Sequence, residues 1–265
     1  MSSGEPRRTN PAYQICATGM TDIGCVRKRN EDAFLADMKN GLFIVSDGLG
    51  GHPSGDVASR MIVDLLPQIL ARRLRLSSVT NRENCGLMRK MVAESLSEMS
   101  LSICRLGRNS PANIGMGATV VVAWIIGQYA HVAHMGDSRA YVLRGGRFRK
   151  LTRDHSLVSL LLQHGEITMS EAVNHPARGR LTRFVGMEAE VVPDTQSLKL
   201  QVGDRILLCT DGLWGVLPGA RMKFILIQSK RPGGACRNLV EAGKMAGGSD
   251  NLTAIVIDAV EGMPS

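Results

Sequence analysis

Two aspartates in this chain follow apolar runs in the same way. Segment 43–49 reads FIVSDGL and segment 207–213 reads LLCTDGL, so each run ends in a hydroxyl residue and then Asp-Gly, at Asp47 and at Asp211. A buried strand would deliver each carboxylate to a fixed point, and the glycine lets the backbone approach closely and offer its carbonyl. Either Asp-Gly pair taken alone is typical of an ordinary turn.

Other acids occupy similar positions. Asp137 stands between two apolar runs, Asp250 comes just before the last run, and Glu31-Asp32 opens the first strand. Carboxylates that converge on one site repel one another and take up protons unless a cation compensates their charge. Oxygen ligands select hard ions such as Mg²⁺ or Mn²⁺ rather than zinc. Four such placements in one chain predict a site for these ions.

The glycine-rich segment 48–55, GLGGHPSG, raises the possibility of a nucleotide-binding loop. The dinucleotide fingerprint would need a glycine where Pro53 stands, and a phosphate loop would need a lysine where Asp56 stands. Both nucleotide motifs are therefore excluded at this segment.

Strands are predicted wherever β-branched or apolar residues form short runs. Four consecutive runs between Thr119 and Leu151 have tight breaks at 127–128, 136–137 and 145–146, which predicts an antiparallel meander because parallel pairing needs long crossovers. The predicted strands are Leu42–Ser46, Thr119–Ile126, Tyr129–Met135, Arg139–Leu143, Arg147–Leu151, Asp204–Thr210 and Leu252–Val260.

Two long amphipathic helices are predicted before the meander, over Val57–Ile69 and Leu87–Leu106, with a kink at Pro67 in the first. Helices grouped apart from antiparallel strands favour an α+β fold, with sheets packed together and helices outside. Shorter helices are predicted at Leu157–Gln163, Ser170–Val173, Ala220–Gln228 and Arg237–Met245, and Thr168 and Glu171 have the spacing of a capping box.

The chain's 265 residues suit one large domain. Residues 1–12 are expected to be a disordered lead-in and residues 13–265 a single catalytic domain. The polar segment at about 163–183 interrupts the strand pattern and is interpreted as an inserted flap near a site.

Composition narrows the function classes. The chain has no apolar stretch long enough for a bilayer, and its six cysteines form no Cys-x-x-Cys pair, so we expect a cytoplasmic protein with free thiols and no membrane association. A net charge of +8 with only 4% aromatic residues favours solvated basic faces over nucleic-acid binding. An acidic or phosphorylated protein is the expected partner, and a monomer is the expected state.

A series of short motifs covers the chain from about Thr18 to Ile257. In their order and residues these motifs resemble those of the metal-dependent protein phosphatases, the type 2C family, in its bacterial form. The matching segments are 21–32, 46–55, 115–119, 136–141, 151–156, 175–176, 181–183, 204–213 and 250–253.

The resemblance implies a serine/threonine protein phosphatase with a central antiparallel β-sandwich flanked by helix pairs, in α-β-β-α layers. It implies two divalent cations, Mn²⁺ or Mg²⁺, with a possible third. Carried over by position, Asp47 bridges the two metals and the Gly48 carbonyl ligates one of them. Asp211 and Asp250 complete the second site, and Glu31 supports the first, partly through water.

The resemblance also assigns residues around the metals. Arg27 would bind the substrate phosphate, because a guanidinium suits a phosphate fork. Asp137 matches the acid that helps to hold the weaker third metal, and Asp32 and Asp154 are expected to support the ligands from behind. His155 is expected to hold structure.

The general acid stays open. Relatives from animals place a histidine, the proposed acid, two residues after the bridging aspartate, whereas this chain has Leu49 there. Either His52 or a metal-bound water is the candidate, and a loop-positioning role for His52 is an equal alternative.

Three other functions remain to be weighed. A catalytically silent adaptor that binds phosphoproteins would have no need for the costly cluster of Asp47, Asp211 and Asp250. A basic nucleic-acid-binding protein would lose affinity in added salt. A metal-dependent phosphoesterase for small molecules stays an alternative, although a protein phosphorylated by a cognate Ser/Thr kinase is the expected substrate.

Overall fold

The structure, a computed structural model, describes residues 13–49, 54–77, 84–109, 113–188 and 191–262. The predicted lead-in, residues 1–12, lies outside the described residues, and so does His52.

Within the described residues, ten strands form two five-stranded antiparallel sheets. The first sheet has the order β1-β10-β9-β6-β7 and the second has the order β2-β3-β4-β5-β8. The strands are β1 (Tyr13–Asp22), β2 (Asp32–Asp37), β3 (Leu42–Asp47), β4 (Val120–Ile126), β5 (Tyr129–Met135), β6 (Arg139–Arg144), β7 (Arg147–Lys150), β8 (Asp194–Lys199), β9 (Arg205–Cys209) and β10 (Leu252–Glu261).

Seven helices complete the described part of the chain. The two longest helices pack on the second sheet, and the last two helices pack on the first sheet. In chain order they are α1 (Gly55–Leu76), α2 (Cys85–Arg108), α3 (Leu157–His164), α4 (Met169–Val173), α5 (Asp211–Trp214), α6 (Gly219–Gln228) and α7 (Pro232–Met245).

Three apolar layers hold these elements together. Phe43 and Val45 of β3 lie between the two sheets, while Ile44 faces α1 and α2 on the outer side of the second sheet. All three side chains are fully buried, which explains why β3 reads as an unbroken apolar run. A third layer packs α6 and α7 on the first sheet. The predicted α+β sandwich with outer helices is confirmed.

The predicted meander between Thr119 and Leu151 is wrong at its centre. Strands β4 and β5 form one hairpin and β6 and β7 form another, but the two hairpins belong to different sheets. The chain crosses between sheets at Gly136, whose φ is +102°. A Cβ built there would lie 2.6 Å from the Cβ of Thr119, so only glycine fits this close approach. A short break between two apolar runs in the sequence is therefore compatible with a crossover to another sheet as well as with a hairpin turn.

The helices agree with their sequence signals and run longer than predicted. α1 continues through Pro67 as far as Leu76. The capping box of Thr168 and Glu171 is present at α4, inside the flap segment, residues 163–183. No helix in the described ranges is long and apolar enough to cross a bilayer.

Candidate metal centre and active site

Asp47 is the last residue of β3. It lies opposite Asp32 in the ladder between β2 and β3. The backbone N–H of Asp47 donates to Thr119 Oγ1 at 3.1 Å, and its carbonyl accepts from the Thr119 N–H at 2.8 Å. The hydroxyl of Thr119 also lies 2.7 Å from that of Ser138. These contacts fix the backbone that carries the Asp47 carboxylate.

Asp32, opposite Asp47 in the second sheet, forms hydrogen bonds to residues of the first sheet and of the segment that follows its strand β9. Its Oδ2 accepts hydrogen bonds from the hydroxyls of Thr210, at 2.9 Å, and of Thr253, at 2.5 Å. Its buried Oδ1 has no hydrogen-bond partner among the described residues. Burial raises the pKa of Asp32 to about 7, against the opposing effect of the two hydroxyl donors.

Asp47 and Asp211 form the centre of a cluster of like charges. Burial raises the pKa of Asp47 well above its usual range, and the charges of Asp32, Asp211 and Asp137 raise it further. Burial also raises the pKa of Asp211, and the charge of Asp250 adds to this effect. Asp211 begins α5 directly after β9. A site of this kind takes up protons unless cations compensate it.

Asp137 reaches the same cluster from the crossover between the sheets. Its burial raises its pKa to about 8, and the charges of Asp211 and Asp154 contribute. The carbonyl of Asp137 accepts a hydrogen bond of 3.0 Å from Trp214 Nε1, at the end of α5. This bond joins the segment that carries Asp211 to the segment that carries Asp137.

Asp154 is held in ion pairs. Arg139 donates to it twice, at 3.0 Å and 2.6 Å, and Lys150 donates at 3.1 Å. Burial would raise the pKa of Asp154, but these two cations outweigh it and lower the pKa. The Arg139 guanidinium also lies 3.2 Å from the centre of the Trp214 ring. Asp154 therefore holds the Arg139 guanidinium in place against the Trp214 ring.

Arg27 lies at the open side of the cluster. Its Nη2 donates to Asp250 Oδ2 at 2.7 Å, and this bond raises the pKa of Arg27, with smaller contributions from the charges of Glu31 and Asp47. The Arg27 side chain is 42% exposed, so the guanidinium reaches both the cluster and solvent.

Glu31 and Gly48 are brought together by their backbones. The Gly48 N–H donates to the Glu31 carbonyl at 3.1 Å, and the Glu31 N–H donates to Asn251 Oδ1 at 2.8 Å. A Cβ on Gly48 would collide with the carbonyl oxygen of Gly55 and lie 2.9 Å from that of Glu31. Burial raises the pKa of the Glu31 carboxylate.

The residues present fit hard divalent cations. Every candidate ligand offers oxygen, the buried carboxylates raise one another's pKa, and the orphaned Oδ1 of Asp32 lacks a donor. Hard oxygen sets of this kind are typical of Mg²⁺ and Mn²⁺ sites.

The sequence singled out the acids but missed the residues that orient them. Asn251 lies in the matching segment 250–253, but the motif does not indicate that its side chain donates to the carbonyls of Ile23 and Arg29, at 2.9 Å and 3.0 Å. Nothing local in the sequence signals the bonds from Thr210 and Thr253 to Asp32.

Known proteins resemble this chain over most of its length. The family model described as Protein phosphatase 2C matches residues 26–231. The chain belongs to the protein phosphatase 2C family. The Listeria innocua protein named serine/threonine phosphatase stp is 35% identical over 241 residues, which cover 90% of this chain and 93% of that protein.

Solved structures of similar proteins agree with this membership. The S. agalactiae serine/threonine phosphatase has a TM-score of 0.82 at 32% identity, covering 93% of this chain and 100% of that chain. The catalytic domain of serine/threonine protein phosphatase PstP, solved with two manganese ions, has a TM-score of 0.76 at 29% identity, covering 93% and 98%. This 2C-family chain is a metal-dependent serine/threonine protein phosphatase, and catalysis is favoured over a silent adaptor.

Proposed function

We propose that this phosphatase hydrolyses phosphoserine and phosphothreonine on proteins at the cluster of Asp47, Asp211, Asp250 and Asp137. The observation that carries the proposal is the meeting of oxygen ligands from both sheets: Asp32, opposite Asp47 in the second sheet, accepts hydrogen bonds from Thr210 and Thr253, which are next to Asp211 and close to Asp250 in the chain. Burial and mutual repulsion raise the pKa values of Asp47, Asp137 and Asp211 there. Such a site gains free energy when divalent cations replace the protons.

The candidate ligands are assigned to two cations according to their positions. The Asp47 carboxylate, which the charges of Asp32, Asp211 and Asp137 all reach, would help to hold both cations, and the Gly48 carbonyl would help to hold one of them. Asp211 and Asp250 are proposed for the second cation, and Glu31 for the first, partly through water. Bound Mn²⁺ or Mg²⁺ would lower the pKa of water and neutralise charge on the phosphate.

Arg27 is proposed to bind the substrate phosphate. It already holds one carboxylate oxygen, that of Asp250, and its exposed side chain can offer the remaining donors to an incoming phosphate. His52 stays a candidate proton donor, outside the described residues, because Leu49 cannot donate.

The flap segment supports a protein substrate over a small molecule. Arg178 Nη2 lies 3.4 Å from the carbonyl oxygen of Gly215, just beyond α5, so the flap segment contacts the site's own framework. Met169 and Val173 in α4 are 75% and 58% exposed. Apolar side chains exposed on the flap segment suit contact with a polypeptide around the phosphorylated residue.

Several expectations about cellular context belong to the same proposal. All six cysteines are free thiols, which suits the cytoplasm. In one basic cluster Arg72 and Arg73 pair with Glu98, and Arg73 also with Glu94, so these charges are engaged within the protein rather than presented to nucleic acid. We expect a monomer of one domain that acts opposite a cognate Ser/Thr kinase.

The test is hydrolysis of a phosphothreonine peptide by metal-stripped protein, with and without added Mn²⁺. We expect activity only with Mn²⁺, and little activity on a small phosphomonoester at the same concentration. Full turnover by protein that elemental analysis shows to be metal-free would contradict the proposal.

A further inference from the structure

His155 forms hydrogen bonds to both backbone polar groups, the N–H and the carbonyl, of Gly136, the residue that precedes Asp137. Its backbone N–H donates to the Gly136 carbonyl at 3.0 Å, and its ring Nδ1 accepts from the Gly136 N–H at 3.3 Å. Gly136 is the residue at which the chain crosses between sheets, so His155 holds this crossover from two sides.

The other side of His155 faces the end of the flap segment. Its carbonyl accepts from the Thr182 N–H at 2.8 Å, and its Nε2 lies 3.3 Å from Asp194 Oδ2. Asp194 in turn pairs with Arg183 Nη1 at 2.7 Å. His155 thus connects the crossover before Asp137 with the residues that close the flap segment.

The hydrogen-bond partners of the His155 ring determine which ring nitrogen carries the proton. His155 is 3% exposed and stacks on His134, with 4.4 Å between the ring centres. A neutral ring has one N–H and one lone pair, and the Gly136 N–H requires the lone pair at Nδ1. The proton is therefore on Nε2, which faces the Asp194 carboxylate.

We propose that His155 is a positioning residue for Asp137, which it sets through the Gly136 peptide, and that it links the flap segment to that carboxylate. The proposal rests on the proposed function, in which Asp137 acts in the site. The side chain of His155 touches no reacting group, so its effect on catalysis passes through the crossover backbone.

A metal site at the same place is the competing explanation. Ligand atoms of His134, His155 and Asp194 lie within 4.8 Å of one another, and His155 Nε2 has no aligned hydrogen-bond partner. A histidine that ligates a metal through Nε2 keeps its proton on Nδ1, where it donates to an oxygen. Here that proton would oppose the Gly136 N–H, and Arg183 already neutralises Asp194.

Two substitutions of His155 distinguish the role of Nδ1 from the role of Nε2. His155→Asn keeps an acceptor near the position of Nδ1, whereas His155→Gln keeps a polar group near Nε2 and loses the acceptor for Gly136. We expect His155→Gln to lower kcat on a phosphothreonine peptide by about tenfold at unchanged KM, with both tight Mn²⁺ ions retained. His155→Asn should keep kcat within about threefold of the wild type.

The outcomes are distinct. Wild-type kcat in His155→Gln, or a large loss of kcat in His155→Asn, would overturn the proposal, and the Asn variant decides alone if the Gln variant does not fold. An ion bound by the wild type and absent from Asp194→Ala would also overturn it in favour of the metal site. Asp137→Ala is assayed in parallel: full kcat in that variant means that the proposed role of Asp137 has failed, whatever His155 does.

Discussion

Arg27 and Asp250 form an ion pair, with 2.7 Å between Nη2 and Oδ2. One partner is the proposed phosphate ligand and the other is a proposed metal ligand. The guanidinium therefore supplies part of the positive charge that the cluster needs. Under the proposed function, bound cations would supply this charge and leave Arg27 available to a phosphate.

Arg27→Ala should weaken substrate binding without weakening metal binding. Losing a charge-assisted contact to phosphate should cost about 2–3 kcal/mol in kcat/KM, while the affinity for Mn²⁺ should stay equal or rise, because a nearby positive charge is removed. Peptide kinetics and Mn²⁺ calorimetry measure the two effects. Arg29→Ala is the matched control, and an unchanged kcat/KM for Arg27→Ala would mean that Arg27 does not bind the phosphate.

Asp211→Asn and Asp250→Asn should each remove most activity and leave the fold intact. Each change removes a charged ligand but keeps the side-chain volume, so packing is preserved. Without metal, Asp211→Asn should melt at the wild-type temperature or above, because it relieves repulsion within the cluster. Calorimetric Mn²⁺ titration beside kinetics checks this, with the exposed Asp64→Asn as control. Wild-type affinity and turnover in either variant would show that the acid is not a ligand.

The metal-free protein should lose stability as pH rises. Asp32 and Asp137 have pKa values of about 7 and about 8 in the folded state, above the value of about 4 for an unfolded aspartate. A raised pKa means that the folded state binds more protons than the unfolded state. The stabilisation that each aspartate contributes is therefore complete below about pH 4 and is lost as pH rises through 7 and 8.

The slope should not exceed about 1.4 kcal/mol per pH unit for each proton released. Thermal melts of metal-free protein between pH 5 and 9 measure it, and saturating Mn²⁺ should flatten the decline. A melting temperature that rises with pH in the absence of metal would contradict the raised pKa values.

Asp137→Ala should slow turnover while two tight metals remain. Asp137 is proposed to help hold a further ion, and an ion held by few carboxylates keeps most of its waters and binds weakly. Saturating substrate should not rescue kcat, because the loss acts on the chemical step or on turnover. If the variant instead melts much earlier but shows normal kinetics once folded, Asp137 serves mainly to cap its turn.

The sequence predicts the acids at strand ends because an apolar run followed by Asp-Gly is a local pattern. It does not predict the crossover at Gly136, since a tight break looks the same whether the next strand pairs with the last or joins another sheet. The list of predicted strands lacks β1, β2 and β8, which are partly exposed, and the DTQSLK sequence of β8 carries no apolar run. The prediction that Glu31-Asp32 opens the first strand is wrong, because β1 precedes it and Asp32 begins β2.

The contacts that orient the acids are non-local and have no sequence signal. Thr210 and Thr253 are 178 and 221 residues from Asp32, and Trp214 is 77 residues from Asp137. The packing of one sheet on the other brings the two threonines to Asp32, whereas Trp214 meets Asp137 because β9 and β6 are neighbours in the first sheet. This is why the candidate ligands could be named from the chain, while the role of His155 follows from the fold.

The central claim is that Asp47 and its neighbours hold the catalytic cations. Anomalous scattering at the manganese edge, from crystals grown with Mn²⁺, locates those ions directly. We expect two strong peaks beside Asp47, with Asp211 and Asp250 as further ligands and a weaker peak near Asp137. Strong peaks elsewhere, such as between His134, His155 and Asp194, with none at Asp47, would contradict this account.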